Sequence, residues 1–284
     1  MIGVIRNRLW REYAGVRRRA SRSGSASSAL ASLGRPSRRD LDRWITVTDE
    51  GHDRYRQAHP VPDQRVAIVC VSRRPHLIEQ VIDSVAAQAH HDIEFVFVAN
   101  DAGFDVTQVE HALRRLDRVQ LQVAPPATTL GTALNTAMAA TDARYVAKFD
   151  DDDLYGSHYI ADALRAHVTA GAGVVGKHSY YAHLVNGDRT VIRFPGHEFT
   201  YSSTLAGGTF VIDRDVVDDQ QFPDVSLGED RAFLERCHRR GISTFAADRF
   251  GFVQTRAADN TWTLPDADFL VDTVAVDGTN EAFR

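Results

Sequence analysis

Between Arg65 and Phe149 the chain alternates short apolar runs with amphipathic segments, and that order leaves few folds open. Val66 to Val71 is a continuous apolar run, as in a strand buried on both faces. Leu77, Ile78, Val81, Ile82 and Val85 follow at helical spacing, with Pro75 suited to the helix's first turn. A second strand, Ile93 to Ala99, leads to Asp105, which can cap a helix with Gln108 three positions on. A third strand, Val119 to Val123, stops at Pro125 and Pro126. A helix through Leu130 to Ala140 and a fourth strand, Tyr145 to Phe149, complete the series. This β-α-β-α-β-α-β order predicts a mostly parallel sheet with right-handed crossovers. The second half changes character. Val174 to Leu184 and Thr190 to Phe194 flank Asn186-Gly187, a strong hairpin signal, so a mixed half follows the parallel one. Thr209 to Ile212 reads as a further strand, and Arg231 to Arg240 as a helix stopped by Gly241.

Residues 1–62 carry no sustained periodicity and read as an arm and linker, residues 63–270 as the domain and residues 271–284 as a tail. Charge divides along the same line. Residues 1–43 hold eleven Arg against Glu12, Asp40 and Asp42, although the whole chain has a net charge of −5, so the body is acidic. An acidic body excludes a nucleic-acid groove on the domain, whereas the arm suits an anionic membrane surface as well as it suits solvent. Cys70 and Cys237 are the only cysteines, too few for a disulfide framework or a zinc cluster, which favours a reducing, cytoplasmic setting. The sequence has no apolar run of the roughly 18 residues that span a bilayer and no signal-peptide core at its start. The expectation is a cytoplasmic protein, soluble or peripheral at the inner face of the membrane.

The chemistry concentrates in Asp150-Asp151-Asp152-Asp153, directly after the fourth strand. In open α/β sheets ligands bind beyond the carboxyl ends of the strands, so the cluster stands where a site is expected. Two carboxylates about 4 Å apart repel by about 1 kcal/mol in water and more when partly buried. Four in succession therefore ask for a cation, and oxygen-only ligands select Mg²⁺ or Mn²⁺, which keep waters and take substrate phosphate oxygens. The plain alternative is an exposed acidic turn that caps the next helix.

These residues resemble the GT-A glycosyltransferases, particularly family 2, over roughly Arg65 to Leu270. The first strand with Ser72-Arg73-Arg74-Pro75 resembles the family's first nucleotide-binding segment, and Gly131 to Asn135 its G-x-x-x-N element. Asp150 to Asp153 matches the DxD motif with an extra Asp. Gly207-Gly208-Thr209 resembles the acceptor-side strand, and Glu229-Asp230-Arg231 the E-D motif that opens the last helix. The resemblance implies a GT-A (Rossmann-like) α/β fold and an inverting, metal-dependent transfer from a nucleotide-sugar donor. The acceptor would be a glycan or a lipid-linked molecule, in cell-surface polysaccharide or glycoconjugate synthesis. It implies donor contacts from Ser72, Arg73, Arg74, Asp101, Gly131, Asn135, Lys148, Asp150 and Asp151, metal ligation by Asp150 and Asp152, and Asp230 as general base. Two departures stand out. Asn100-Asp101 replaces a donor-pocket Asp-Asp, and Asn260, before Thr261-Trp262, occupies the place of a metal-binding His that similar enzymes carry.

Two other functions fit parts of the pattern. A nucleotidyltransferase that makes nucleotide sugars shares the layout, but it wants a Gly-rich loop where Ser72 to Pro75 stands. A non-catalytic nucleotide-sugar-binding module would keep the fold; the intact carboxylates argue against it and Asn260 argues for it.

Overall fold

The computed structural model describes residue 51 and residues 53–219, 221–257, 260 and 264–283. The chain divides into two compact units, Met1–Thr48 and Asp49–Arg284, and all described residues belong to the second. The basic arm's first fifty residues, with the lipid-facing role read for them, and Thr261-Trp262 lie outside the described residues.

An eight-stranded sheet forms the frame. Its strands are β1 (Val66–Ser72), β2 (Ile93–Ala99), β3 (Val119–Val123), β4 (Tyr145–Phe149), β6 (Val174–Gly176), β9 (Thr200–Tyr201), β10 (Val211–Asp213) and β11 (Thr244–Ala246), in the order β3-β2-β1-β4-β10-β6-β11-β9. The first four are parallel; β10 runs antiparallel to both β4 and β6. The predicted parallel half and mixed half are therefore both present. A five-stranded sheet, β13-β8-β7-β12-β5, combines β5 (Leu154–Tyr155), β7 (Tyr180–Leu184), β8 (Arg189–Arg193), β12 (Phe252–Arg256) and β13 (Thr273–Val276).

Alternate residues of β1 feed two cores. Val66, Ile68 and Cys70 pack with α1 (Ile78–Ala86), α2 (Val106–Leu113) and α4 (Tyr159–Ala170), while Ala67 and Val69 pack with α3 (Leu130–Ala139) and α6 (Glu229–Arg239). Both faces of the sheet are covered, which is why β1 reads as an unbroken apolar run. The α2 cap forms as expected, Asp105 Oδ1 accepting from the Gln108 N–H at 3.2 Å.

Four readings shift. Val174 to Leu184 is not one hairpin arm, because residues 177–179 carry the chain from β6 in the large sheet to β7 in the small one, and only β7 pairs with β8. The strand read at Thr209 is β10 and begins two residues later, because Gly207–Thr209 winds into a 3-10 turn. Residues 271–283 are part of the domain, since β13 pairs with β8 and the Gly251 N–H bonds the Ala282 carbonyl. The end of the arm also packs on the domain: Arg56 Nε lies 3.0 Å from both carboxylate oxygens of the buried Asp162. α5 (Arg214–Val217) and α7 (Asp266–Phe269) are single turns.

Candidate active site

In the large sheet β1 lies between β2 and β4, so the strand order reverses there and opens a crevice at the carboxyl ends. Ser72 ends β1 and Asp150 follows β4. Ser72 Oγ donates to Asp151 Oδ2 at 2.5 Å across this crevice. Arg74 ties the same two edges together. Its Nε donates to Asp151 Oδ2 at 3.2 Å, its Nη2 pairs with Asp151 Oδ1, and its Nη1 lies 2.9 Å from Asp152 Oδ2. Burial alone would lower the guanidinium's pKa, but the two carboxylates outweigh it and hold it raised.

The four aspartates divide by partner. Asp151 is buried, paired with the Arg74 cation and hydrogen-bonded by Ser72. Asp153 is buried and accepts the Thr255 N–H at 2.9 Å, which pins β12 to the cluster. Burial, then the charges of Asp152 and Asp150, pushes the Asp153 carboxyl well above the usual range. Asp150 and Asp152 remain partly open, with side chains 34% and 19% exposed. Asp152 is raised by burial first and then by Asp150, with Arg74 opposing.

Lys148 is buried at the end of β4, and its Nζ lies 2.7 Å from Asp150 Oδ1 and 3.9 Å from Glu229 Oε1. Burial would lower its pKa, yet Asp150, Glu229 and Asp230 outweigh that and keep it charged. The Lys148 cation thus joins the cluster to the start of α6. A second connection is glycine. A Cβ on Gly207 would stand 2.1 Å from Asp230 Oδ2, and one on Gly208 would stand 2.7 Å from Asp150 Oδ2. Only glycine allows both carboxylates to close on adjacent residues. Tyr155 holds this approach in place, its hydroxyl accepting from the Asp150 N–H at 2.8 Å and donating to the Gly208 carbonyl at 2.7 Å.

Ser72, Arg74, Lys148, Asp150, Asp151, Asp152 and Asp230 therefore converge. Arg73 is exposed. Asp101 sits in the loop after β2, where its Oδ1 accepts from the Gly103 N–H at 2.8 Å beside Pro75. Gly131 and Asn135 both bond the segment that precedes α6. The Gly131 N–H bonds the Val225 carbonyl at 3.0 Å, and the Asn135 amide makes paired 2.9 Å bonds with the Phe222 backbone. They clamp the segment that leads into α6 and Asp230.

Two participants escaped the sequence reading. Tyr155 sits in a two-residue strand with no pattern to mark it. Glu229 belongs to a motif that was read, but its burial was not visible. Burial raises its pKa to about 7, Asp230 adding to the effect and Lys148 opposing it.

Among the described residues no group of three or more His, Cys, Asp and Glu side chains is gathered to hold a metal ion. The residues present nonetheless fit a hard dication that takes its other ligands from substrate and water. Asp150 and Asp152 offer oxygen donors and are partly open, and Asp152 is raised by burial first and then by the charge of Asp150.

A family model described as "Glycosyl transferase family 2" matches residues 66–217, more than half of the chain. A search of curated proteins returned no match. Among solved structures, S. aureus TarS 1–349 in complex with UDP-GlcNAc aligns at 16% identity and a TM-score of 0.56, covering 72% of this chain and 63% of that one. A mannosyltransferase from Pyrobaculum calidifontis, PcManGT, in complex with GDP-Man and Mn²⁺ aligns at 15% identity and a TM-score of 0.54, covering 78% and 66%. The chain thus spans less than two thirds of the staphylococcal protein's length, and at such identities the likeness is one of fold. With the family model reaching from the first strand through the aspartate cluster to the end of α5, the chain belongs to glycosyl transferase family 2.

Proposed function

We propose that the protein transfers a sugar from a nucleotide-diphosphate donor to an acceptor hydroxyl with inversion at the anomeric carbon. Asp150 and Asp152 would hold Mg²⁺ or Mn²⁺, which when bound stabilises charge on the departing diphosphate. Ser72, Arg73, Arg74 and Asp101 line the donor side. The acceptor oxygen forms its bond to the anomeric carbon while the bond to the diphosphate breaks, and Asp230 takes the acceptor's proton. Asp230 lies in the first turn of α6, against Gly207. Lys148 and Tyr155 orient Asp150; Glu229 and Lys148 balance charge between the two halves of the site.

The observation that carries this reading is the Gly207-Gly208 approach, in which one residue meets Asp230 and the next meets Asp150. A proton acceptor and a metal-binding carboxylate that approach two adjacent glycines suit transfer between a bound diphosphate donor and a hydroxyl. The glycosyl donors named in the two solved neighbours, UDP-GlcNAc and GDP-Man, favour the same class of donor. A glycan or lipid-linked acceptor, cytoplasmic location and contact of the basic arm with anionic membrane belong to the same proposal. Vesicle co-sedimentation with and without residues 1–43 tests the last, and equal binding removes it.

A panel of nucleotide sugars incubated with Mn²⁺ tests the whole. At least one should release its nucleoside diphosphate, and chelator should stop the release. Release that persists undiminished in chelator, or release from no donor at all, contradicts the proposal.

A further inference from the structure

Asn260 stands where the resemblance leads to a histidine ligand, and its surroundings assign it another task. Its Nδ2 donates to Asp152 Oδ2 at 2.7 Å and to the Thr255 carbonyl at 3.0 Å, and its Oδ1 accepts the Ala257 N–H. Both amide hydrogens are therefore engaged, and the amide oxygen has a partner of its own. The orientation is fixed by chemistry. Turning the amide over would bring its oxygen against a carboxylate and a carbonyl, both acceptors only, and its NH₂ against a backbone donor.

The same geometry sorts the two oxygens of Asp152. Oδ2 receives Asn260 and also lies 2.9 Å from Arg74 Nη1, whereas Oδ1 has no hydrogen-bond partner among the described residues. Asp152 is thus held by one oxygen and open at the other, with its side chain 19% exposed.

We propose that Asn260 is a positioning residue for Asp152 and not a ligand of the divalent cation, so that the protein contributes only Asp150 and Asp152. This rests on the metal-dependent reading above. Two protein carboxylates leave most of a six-coordinate shell to diphosphate and water, so Mn²⁺ binding by the protein is strengthened by nucleoside diphosphate. Loss of an outer-shell partner commonly weakens metal binding by about 10- to 100-fold without altering the ligand count.

The test titrates Mn²⁺ into the full chain with UDP, and in a parallel arm with GDP. Electron paramagnetic resonance reads the affinity, and line broadening in ¹⁷O-enriched water counts the waters on the ion. Asn260→Ala should weaken Mn²⁺ about 10- to 100-fold while the water count stays that of the wild type. Asn260→Leu, branched alike but without a donor, should repeat the result, with thermal melts confirming that both variants fold. A gain of one water in the variants makes Asn260 a ligand and overturns the inference. Unchanged affinity in both variants overturns it too, by removing the positioning role. Failure of the wild type to bind Mn²⁺ with either nucleotide is a different outcome, which sinks the metal-dependent reading and the inference with it.

Discussion

Asp152 carries two opposed demands. It is partly buried beside Asp150, which raises its pKa, yet Arg74 and Asn260 hold its Oδ2 as they would hold a carboxylate. Asp152→Asn removes a charge without removing volume, and the remaining carbonyl oxygen still accepts from Arg74 and Asn260. The variant should lose Mn²⁺-dependent donor binding while its melting temperature holds or rises, because repulsion within the cluster is relieved. Calorimetry with and without metal, beside a thermal melt, reads both; metal-dependent binding at wild-type strength would place the ion elsewhere. At this scale much was legible. The aspartate run asks for a cation by its own repulsion, and Lys148, expected among the donor contacts, bonds Asp150. Glu229 and Asn260 were harder, since a role that depends on burial or on which way an amide points leaves no trace in residue order.

At the scale of elements, α3 and the segment before α6 act as one unit. A Cβ on Gly131 would stand 1.8 Å from the Pro223 carbonyl oxygen, a backbone atom that cannot swing aside as a side chain does. Asp224 Oδ1 meanwhile accepts from the hydroxyls of Thr129, at 2.5 Å, and Thr132, at 2.8 Å, at the start of α3. Gly131→Ala should therefore displace the 222–228 segment, destabilise the domain by about 2 kcal/mol or more and slow transfer by shifting Asp230. Chemical denaturation and initial rates check this; an unaltered midpoint with full activity would show that the segment gives way freely. The helices and parallel strands were readable because periods of 3.6 and 2 report burial directly. The division of Val174 to Leu184 between two sheets was not, because an apolar run says that a strand is buried and not which sheet buries it. Gly131 and Asn135, expected as donor contacts, bond the segment that leads to Asp230, a pairing that residue order alone does not reveal.

At the scale of the whole molecule, an ion group on the mixed side joins distant parts of the chain. Arg249 Nη1 lies 3.1 Å from Glu198 Oε1, and Lys177 Nζ lies 3.2 Å from Asp248 Oδ1. Burial pushes the Glu198 carboxyl up to about 7, with Arg249 opposing. A carboxyl raised on folding binds more protons in the native state, so its contribution is full below about pH 4.5 and is lost as pH rises through 7. Glu198→Gln cannot titrate. Relative to wild type it should gain stability between pH 4.5 and 8, by on the order of 3 kcal/mol, and denaturation midpoints across that range would show the difference. A constant difference would mean that Glu198 ionises normally. None of this cluster was foreseen, because its members come from three separate stretches that only the two-sheet topology brings together.

In the proposed reaction Asp230 serves as the base while Asp150 and Asp152 serve the donor, across the Gly207-Gly208 approach. Asp230→Asn keeps the shape and an oxygen for the Arg231 N–H, which Asp230 Oδ1 now accepts at 2.6 Å, and it removes only the proton acceptor. The decisive measurement is the transfer rate of this variant beside its donor affinity in Mn²⁺, on the donor that the panel identifies. Donor affinity should stay close to that of the wild type while the rate falls by about 10² to 10⁴-fold, the usual contribution of general base catalysis. A variant that binds the donor and turns over at the wild-type rate would contradict this.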